Sequence, residues 1–335
     1  MLPRIILIRA IYSIVILLSI VAVTGILIIL KSKIEIYQQV TDHSVETPEY
    51  EPFPVSVDIA KKIIIEDPSV NNLFEETFAN APESKNKWWN QLAAVLFSKD
   101  WYQNLASPVS RIIVIWPGER KEQLSKNIGD VLAWSQEDKE TFMKLVDEAE
   151  PKLAEGKYFP GQYVTHKKAT PEDIYKLVYG QFENEILDRY TPEVEAMVPL
   201  DQALIIASLL EREAGDFHNM REISGVIWNR IFIDMPLQLD ASLQYIKGSN
   251  PYEPNWWPIV KPKDKFQDSP FNTYQNSGLP PAPISNVSTE SVLAALNPIK
   301  TTCLYYFHTE NGQYYCSENY QGHVDKLKEI YGRGK

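Results

Sequence analysis

The chain has 335 residues, 44% of them hydrophobic, and a formal net charge of −11. An acidic balance without a basic stripe excludes the electrostatic footprint of a nucleic-acid binder. Two cysteines are too few for a disulfide framework or a four-cysteine zinc site, and the five histidines show no metal-ligand spacing, so neither metal nor cofactor is expected. No GxSxG elbow and no phosphate-cradling glycine loop occurs, which argues against serine-hydrolase and nucleotide chemistry.

From Ala10 to Leu30 the chain carries no charge. As a helix at about 1.5 Å per residue this run is about 32 Å long, enough for a hydrocarbon layer of roughly 30 Å, and it predicts one membrane span over 10–30 after a short segment 1–9. A cleavable signal peptide is the alternative, but the run is longer than a usual h-region and no clear small-x-small site follows it. Arg4 and Arg9 before the span nearly balance Lys31 and Lys33 after it, so orientation is not set by charge. Residues 31–58 are polar, with Pro48, Pro52 and Pro54, and read as a linker.

A first small domain is expected over 59–165. Arg111–Trp116 is β-rich and is closed by Pro117-Gly118, and 119–134 has helical spacing at Leu124, Ile128, Val131 and Leu132. Ser135, with Asp138 three residues on, opens a second helix. Thr170 and Pro171 open a further one carrying Ile174, Leu177, Val178 and Phe182 on one side. With the boundary near 165, a second domain covers 166–335, and its mixture of helices, short strands and long loops makes the class α+β.

The apolar helix Ala203–Leu210 ends in Glu211-Arg212-Glu213. At 100° per residue Glu213 projects between Leu209 and Leu210 and above Ile206, whereas Glu211 points roughly opposite, over Leu204 and Ser208. Desolvation and the negative end of the helix both disfavour ionisation at Glu213, which makes it a candidate proton donor; the alternative is a frayed last turn with its head in water. A second helix is expected from Asn219, with Glu222 completing a capping box and Arg230 inside the buried stripe of Ile223, Val226, Ile227 and Ile231. That guanidinium either snorkels or pairs with Glu211 or Asp240. Leu237-Gln238-Leu239-Asp240 alternates, so a strand would present Gln238 and Asp240 together, as a cleft would need and as any half-exposed strand also does.

Residues 248–287 form a long proline-rich loop that interleaves Trp256, Trp257, Phe271 and Tyr274 with Asn255, Asn272, Gln275 and Asn276. Flat rings beside amides suit sugar faces and hydroxyls, and long loops in compact domains are often binding walls; a membrane-interface belt is the alternative for the tryptophans. Glu310-Asn311-Gly312 reads as a hairpin turn between Leu304–His308 and Gln313–Cys316. With Asn311-Gly312 as the two turn residues, Cys316 faces Phe307 and Cys303 faces Tyr320, which predicts two free thiols.

Several of these segments together resemble the MltG/YceG-like endolytic murein transglycosylases. They are Ala207-Ser208-Leu209-Leu210-Glu211-Arg212-Glu213-Ala214, Gly225-Val226-Ile227-Trp228-Asn229-Arg230, Met235-Pro236-Leu237-Gln238-Leu239-Asp240, and Phe271-Asn272-Thr273-Tyr274 followed by Gly278-Leu279-Pro280-Pro281. Glu155-Gly156 with Phe159-Pro160 begins the likeness, and Asn297-Pro298, Lys300-Thr301 and 304–307 continue it, so that it covers roughly residues 150–320. Gly161 stands where the family usually has Asp, and Gln313 where it usually has His.

The resemblance implies a single-pass protein of the cytoplasmic (inner) membrane, its N-terminus cytoplasmic and its catalytic domain outside. It would carry a divergent LysM-like α/β module over 59–165 and a mixed α+β catalytic domain over 166–335. The implied reaction cleaves the β-1,4 bond between N-acetylmuramic acid and N-acetylglucosamine in nascent peptidoglycan, leaves 1,6-anhydro ends and terminates glycan elongation. Glu213 matches the family's catalytic position; Asn229, Gln238, Asp240, Asn272 and Tyr274 are candidate substrate-binding residues, and Glu211 and Arg230 candidate supporting ones. The implied partners are glycan strands and cell-wall synthases. A muramidase that hydrolyses with Glu213 and Asp240, and an inactive anchored scaffold, remain open alternatives.

Overall fold

The computed structural model describes residues 51–66, 68, 70–72, 74, 109–153, 155–253 and 255–332. The run expected to cross a membrane lies outside the described residues, as does most of the linker; among the described residues no helix is long and apolar enough to span a bilayer. In chain order the elements are β1 (Val57–Asp58), β2 (Ile63–Ile64), β3 (Ser110–Ile115), α1 (Lys121–Leu132), α2 (Gln136–Glu148), β4 (Gly161–His166) and α3 (Pro171–Glu185). They continue with α4 (Pro192–Met197), α5 (Leu200–Glu213), α6 (Phe217–Phe232), α7 (Asp240–Gly248), α8 (Thr289–Leu296), β5 (Tyr305–His308), β6 (Tyr314–Ser317) and α9 (Tyr320–Tyr331). Short 3-10 turns occupy Leu187–Arg189 and Pro262–Phe266, and the architecture is mixed α+β.

The described residues fall in two compact units, 109–113 and 164–168 in one and the remainder in the other. Within the first, the Lys167 amide donates to the Val109 carbonyl at 2.8 Å. The second unit holds the helical core and every residue of the site described below.

Local chemistry sets most helix starts. Ser135 and Asp138 exchange backbone and side-chain bonds at the start of α2, and Thr170 and Asp173 do the same ahead of Pro171 in α3. The cap of helix α6 sits three residues earlier than the sequence suggests, at the Asp216 carboxylate, which accepts from the Asn219 amide at 2.8 Å. Both residues are good caps; Asn219 is drawn inward instead, its side-chain oxygen bonded to the His308 ring at 2.9 Å.

In α5 every side chain from Ala203 to Leu210 is buried, and in α8 every one from Ser291 to Leu296. A helix apolar all round must be surrounded, and α5 packs against α6, α7 and α8. The one hydroxyl inside α5, Ser208, accepts from the Ile284 amide at 3.0 Å and donates to the Ile205 carbonyl at 2.7 Å, so it is buried without an unpaired group. Residues 51–58, the last stretch of the expected linker, also pack: Phe53 and Val57 are in the core, and Asn297 bonds to Ser56 Oγ and the Pro54 carbonyl.

Helix α6 approaches the chain after α8 so closely that a Cβ on Gly225 would lie 2.3 Å from the Ile299 carbonyl oxygen. Gly225→Ala is therefore expected to cost about 1–3 kcal/mol or more by overpacking, read as a lower thermal midpoint. Gly180→Ala in α3, where nothing lies within 4 Å of the new methyl, should stabilise by about 0.5–1 kcal/mol. Equal midpoints for the two variants would contradict this close crossing.

The β5–β6 hairpin corrects two expectations. Its register pairs Tyr306 with Cys316 and Phe307 with Tyr315, one residue away from the sequence-based pairing. A two-residue turn of the expected kind needs positive φ at both central positions, and only Gly312 takes it, at 83°, so the loop has three residues between Thr309 and Gln313. Because a shift of one residue turns every side chain to the other face, Cys316 is presented to the chain entering β5, where Cys303 lies with its Cα 5.8 Å away. The two cysteines form a disulfide and are not free thiols.

Candidate active site

Glu213 is the last residue of α5, at the foot of an open cleft of about 590 Å³. Its Oε1 accepts from the Ala241 amide at 3.2 Å, and its Oε2 accepts from the Tyr306 hydroxyl at 3.1 Å. Ala241 lies in the first turn of α7, so the carboxyl faces the positive end of that helix as well as the negative end of its own. Burial is the dominant influence and raises the pKa of Glu213 above the ordinary carboxylate value. The charge of Asp240 pushes in the same direction, while the bonds from Ala241 and Tyr306 and the Arg212 charge oppose it. Burial and the neighbouring carboxyl push the Tyr306 hydroxyl well above its usual range, so it remains a donor.

Gln238, Asp240 and Tyr274 line the same cleft. The sequence alternation holds as a division of sides, with Leu237 and Leu239 buried and Gln238 and Asp240 turned to the cleft, but the segment is no strand. Only Pro236 forms a bridge, to Ser277; Gln238 adopts the left-handed region at φ 51°, and Asp240 begins α7. The cause is the partner: 237–239 pairs with an irregular turn, the Gln238 amide donating to the Thr273 carbonyl at 2.9 Å and the Leu239 amide to Thr273 Oγ1 at 3.0 Å. A non-glycine residue held at positive φ stores strain, which here aims an amide side chain at the cleft. The Tyr274 hydroxyl donates to Asp240 Oδ1 at 2.7 Å.

Other expected site residues serve the frame. Asn229 donates to the carbonyls of Thr301 and Cys303 at 2.8 and 3.0 Å and lines a separate 260 Å³ pocket. Asn272 is fully buried, donating to the carbonyls of Lys265 and Gln267 and accepting from the Tyr274 amide, so it shapes the loop and does not line the cleft. Arg230 pairs with neither Glu211 nor Asp240. It donates from Nε to the Leu304 carbonyl at 2.6 Å and from Nη1 to the Leu237 carbonyl at 2.5 Å, tying β5 to the 236–240 segment. Glu211 instead accepts from the Ser288 amide and hydroxyl at 2.9 and 2.6 Å, at the N-cap of α8. The loop tryptophans stack on arginines, Trp257 with Arg212 at 4.0 Å and Trp256 with Arg120 at 5.8 Å, and Phe271 packs on Tyr245.

Tyr306, His308 and Lys265 line the cleft without having been singled out in the sequence. The hairpin's aromatic strand was visible, but naming Tyr306 required the correct register. Nor does burial alone identify the acid. Glu119 is pushed up to about 7 by burial, and burial raises Glu155 and Glu211 too, yet none of these lines the cleft. Among the described residues no cluster of three or more His, Cys, Asp or Glu is arranged to hold a metal ion. The arrangement presents one carboxyl of raised proton affinity to a ligand-sized cleft, with a second carboxylate beside it.

A sequence model of the YceG-like family matches residues 83–329. The chain is 32% identical over 240 residues to an endolytic murein transglycosylase of Bacillus subtilis strain 168, covering 65% of this chain and 64% of that protein. It is 28% identical over 176 residues to an endolytic murein transglycosylase of Streptococcus pneumoniae serotype 2, covering 52% of this chain and 32% of that one. The chain thus spans less than two thirds of the length of these curated relatives. A crystal structure of a YceG-like protein from Listeria monocytogenes superposes with a TM-score of 0.56 at 27% identity, covering 64% of this chain and 75% of that one. With the family model matching most of its length, the chain belongs to the YceG-like family.

Proposed function

We propose that this chain is a membrane-anchored lytic transglycosylase that cuts murein glycan strands internally. The observation that carries the reading is Glu213, a carboxyl of raised pKa at the foot of the cleft, held by Ala241 and Tyr306. The names of the two relatives support it. Protonated Glu213 donates to the glycosidic oxygen as the bond from the muramoyl C1 breaks. The resulting carboxylate then accepts the proton of the muramoyl C6 hydroxyl as its oxygen closes onto C1, which returns Glu213 to its starting state and leaves a 1,6-anhydro ring. The nucleophile belongs to the substrate, so a second protein carboxylate is not required. Gln238, Asp240 and Tyr274 orient the sugar.

One observation favours a second reading: Asp240 shares the cleft with Glu213, as a hydrolytic muramidase would need. Mass analysis of products from purified murein separates the two. Anhydro-muramic ends support transglycosylation, reducing ends support hydrolysis, and no cleavage leaves an anchored scaffold for cell-wall synthases.

The wider reading assigns 10–30 to a single span of the cytoplasmic membrane, 59–165 to a divergent LysM-like module, and the activity to termination of nascent strands. Since murein lies beyond that membrane, a reporter active only outside the cytoplasm and fused after Lys335 should be active. Activity of a reporter confined to the cytoplasm would overturn both orientation and substrate.

A further inference from the structure

Lys265 enters the cleft from the 3-10 turn Pro262–Phe266, its Nζ 4.5 Å from the centre of the Tyr274 ring, the ring whose hydroxyl holds Asp240. Its backbone is fixed, since the Lys265 carbonyl accepts from Asn272 Nδ2 and Gln275 Nε2, both at 3.1 Å. Its charge is not neutralised. Asp264 turns away to Lys247 Nζ at 3.1 Å and the Lys261 amide at 2.8 Å, and among the described residues no carboxylate lies within ion-pair distance of Lys265.

The other cleft cation, Arg230, is buried with Nε and Nη1 committed to carbonyls, and burial lowers the pKa of His308 and His323 toward the neutral ring. Lys265 is exposed, and Lys261 and Lys263 on the same turn are exposed beside it. The cleft of a chain with net charge −11 thus carries two carboxyl groups at one place and an available ammonium at another, joined through Tyr274. A neutral polysaccharide offers such an ammonium hydrogen-bond acceptors but no counter-charge. A strand whose sugars carry acidic peptide substituents offers one, and the Asp240 carboxylate would otherwise repel it.

We propose that Lys265 is a specificity-determining residue that binds a carboxylate of the peptide substituent on the muramoyl sugar, seating the stem-bearing sugar beside Tyr274. This rests on the transglycosylase reading. The full-length chain in detergent is assayed on soluble murein strands with their stems, and on the same strands after carbodiimide coupling to ammonia, which converts their carboxylates to neutral amides. On untreated strands Lys265→Gln should raise KM about 5–20-fold with kcat nearly constant, the usual worth of an exposed charge-assisted contact, and Lys265→Arg should restore most of it. On amidated strands the parent chain should show the raised KM and Lys265→Gln should add nothing. An unchanged KM on untreated strands, or an equal penalty on both substrates, overturns the assignment. If the parent chain makes no anhydro ends at all, it is the transglycosylase reading that fails. Binding then decides the role of Lys265 on its own: the Glu213→Gln chain should hold untreated strands about 5–20-fold more tightly than amidated ones, and Lys265→Gln should abolish that ratio. Equal dissociation constants reject it.

Discussion

Glu213→Gln should lower turnover of murein by about 10² to 10⁴, the usual worth of a positioned acid–base group, while the chain stays folded. The amide keeps the shape of the side chain and can still accept from Ala241, but it has no proton to deliver to the leaving oxygen. Stability should move in the opposite direction from activity. Burial raises the Glu213 pKa in the fold, so between the ordinary carboxylate value and the raised one the native chain holds a proton that the unfolded chain has released. Stability contributed by this site therefore falls as pH rises through that window, and the penalty is fully present above it. Gln titrates nowhere in this range, so the variant should gain in stability relative to the parent as pH rises from acid to neutral. Denaturant midpoints measured across that range, beside counts of anhydro ends, test both halves. Near-normal anhydro product from Glu213→Gln would remove Glu213 from the reaction.

The parent's own pH profile follows from the same shift. Proton donation requires the neutral carboxyl, so the activity it supports is lost as pH rises through the raised pKa.

Arg230→Met should produce the largest structural loss. The guanidinium is 6% exposed and bridges the Leu304 and Leu237 carbonyls, so removing it strands two buried acceptors between the hairpin that carries Tyr306 and the segment that carries Gln238 and Asp240. At about 1–3 kcal/mol per stranded acceptor the expected cost is roughly 2–6 kcal/mol, with lost activity because both walls of the cleft lose their reference. Arg230→Lys has one donor group where two separated donors are needed and should recover only part of it. Glu211→Gln should be milder, since the amide oxygen still accepts from Ser288, and it should leave product chemistry intact. Glu211 and Arg230 share no hydrogen bond in the fold, so their stability effects should add within about 0.5 kcal/mol. A clear coupling energy between them would restore the ion pair that the sequence suggested.

What the sequence determined by itself was whatever depends on neighbours a few residues apart. The caps at Ser135 and Thr170 and the all-round apolar α5 are local or one-helix properties, and each is present where the residues say. Helical phase also put Glu213 rather than Glu211 next to the ligand space, because both residues belong to one rigid helix whose angles are known in advance.

Tertiary structure decided everything that depended on a partner distant in the chain. Asp216 and Asn219 are equivalent caps until His308, from β5, claims the Asn. Arg230 had two carboxylates within reach by sequence, and it found carbonyls instead because the segments converging on it presented unpaired backbone acceptors. Buried carbonyls need donors as surely as a buried cation needs acceptors. The loop of 248–287 had the composition of a sugar-binding wall, yet Asn272 spends its polar groups on the loop's own backbone, and only a chain without strand partners has that need. The hairpin turned on one residue. With φ positive at Gly312 alone, the register moves by one, the cysteines meet, and the Tyr306 hydroxyl reaches Glu213. In a strand of period two, no local signal distinguishes those two registers; the packing of both faces does.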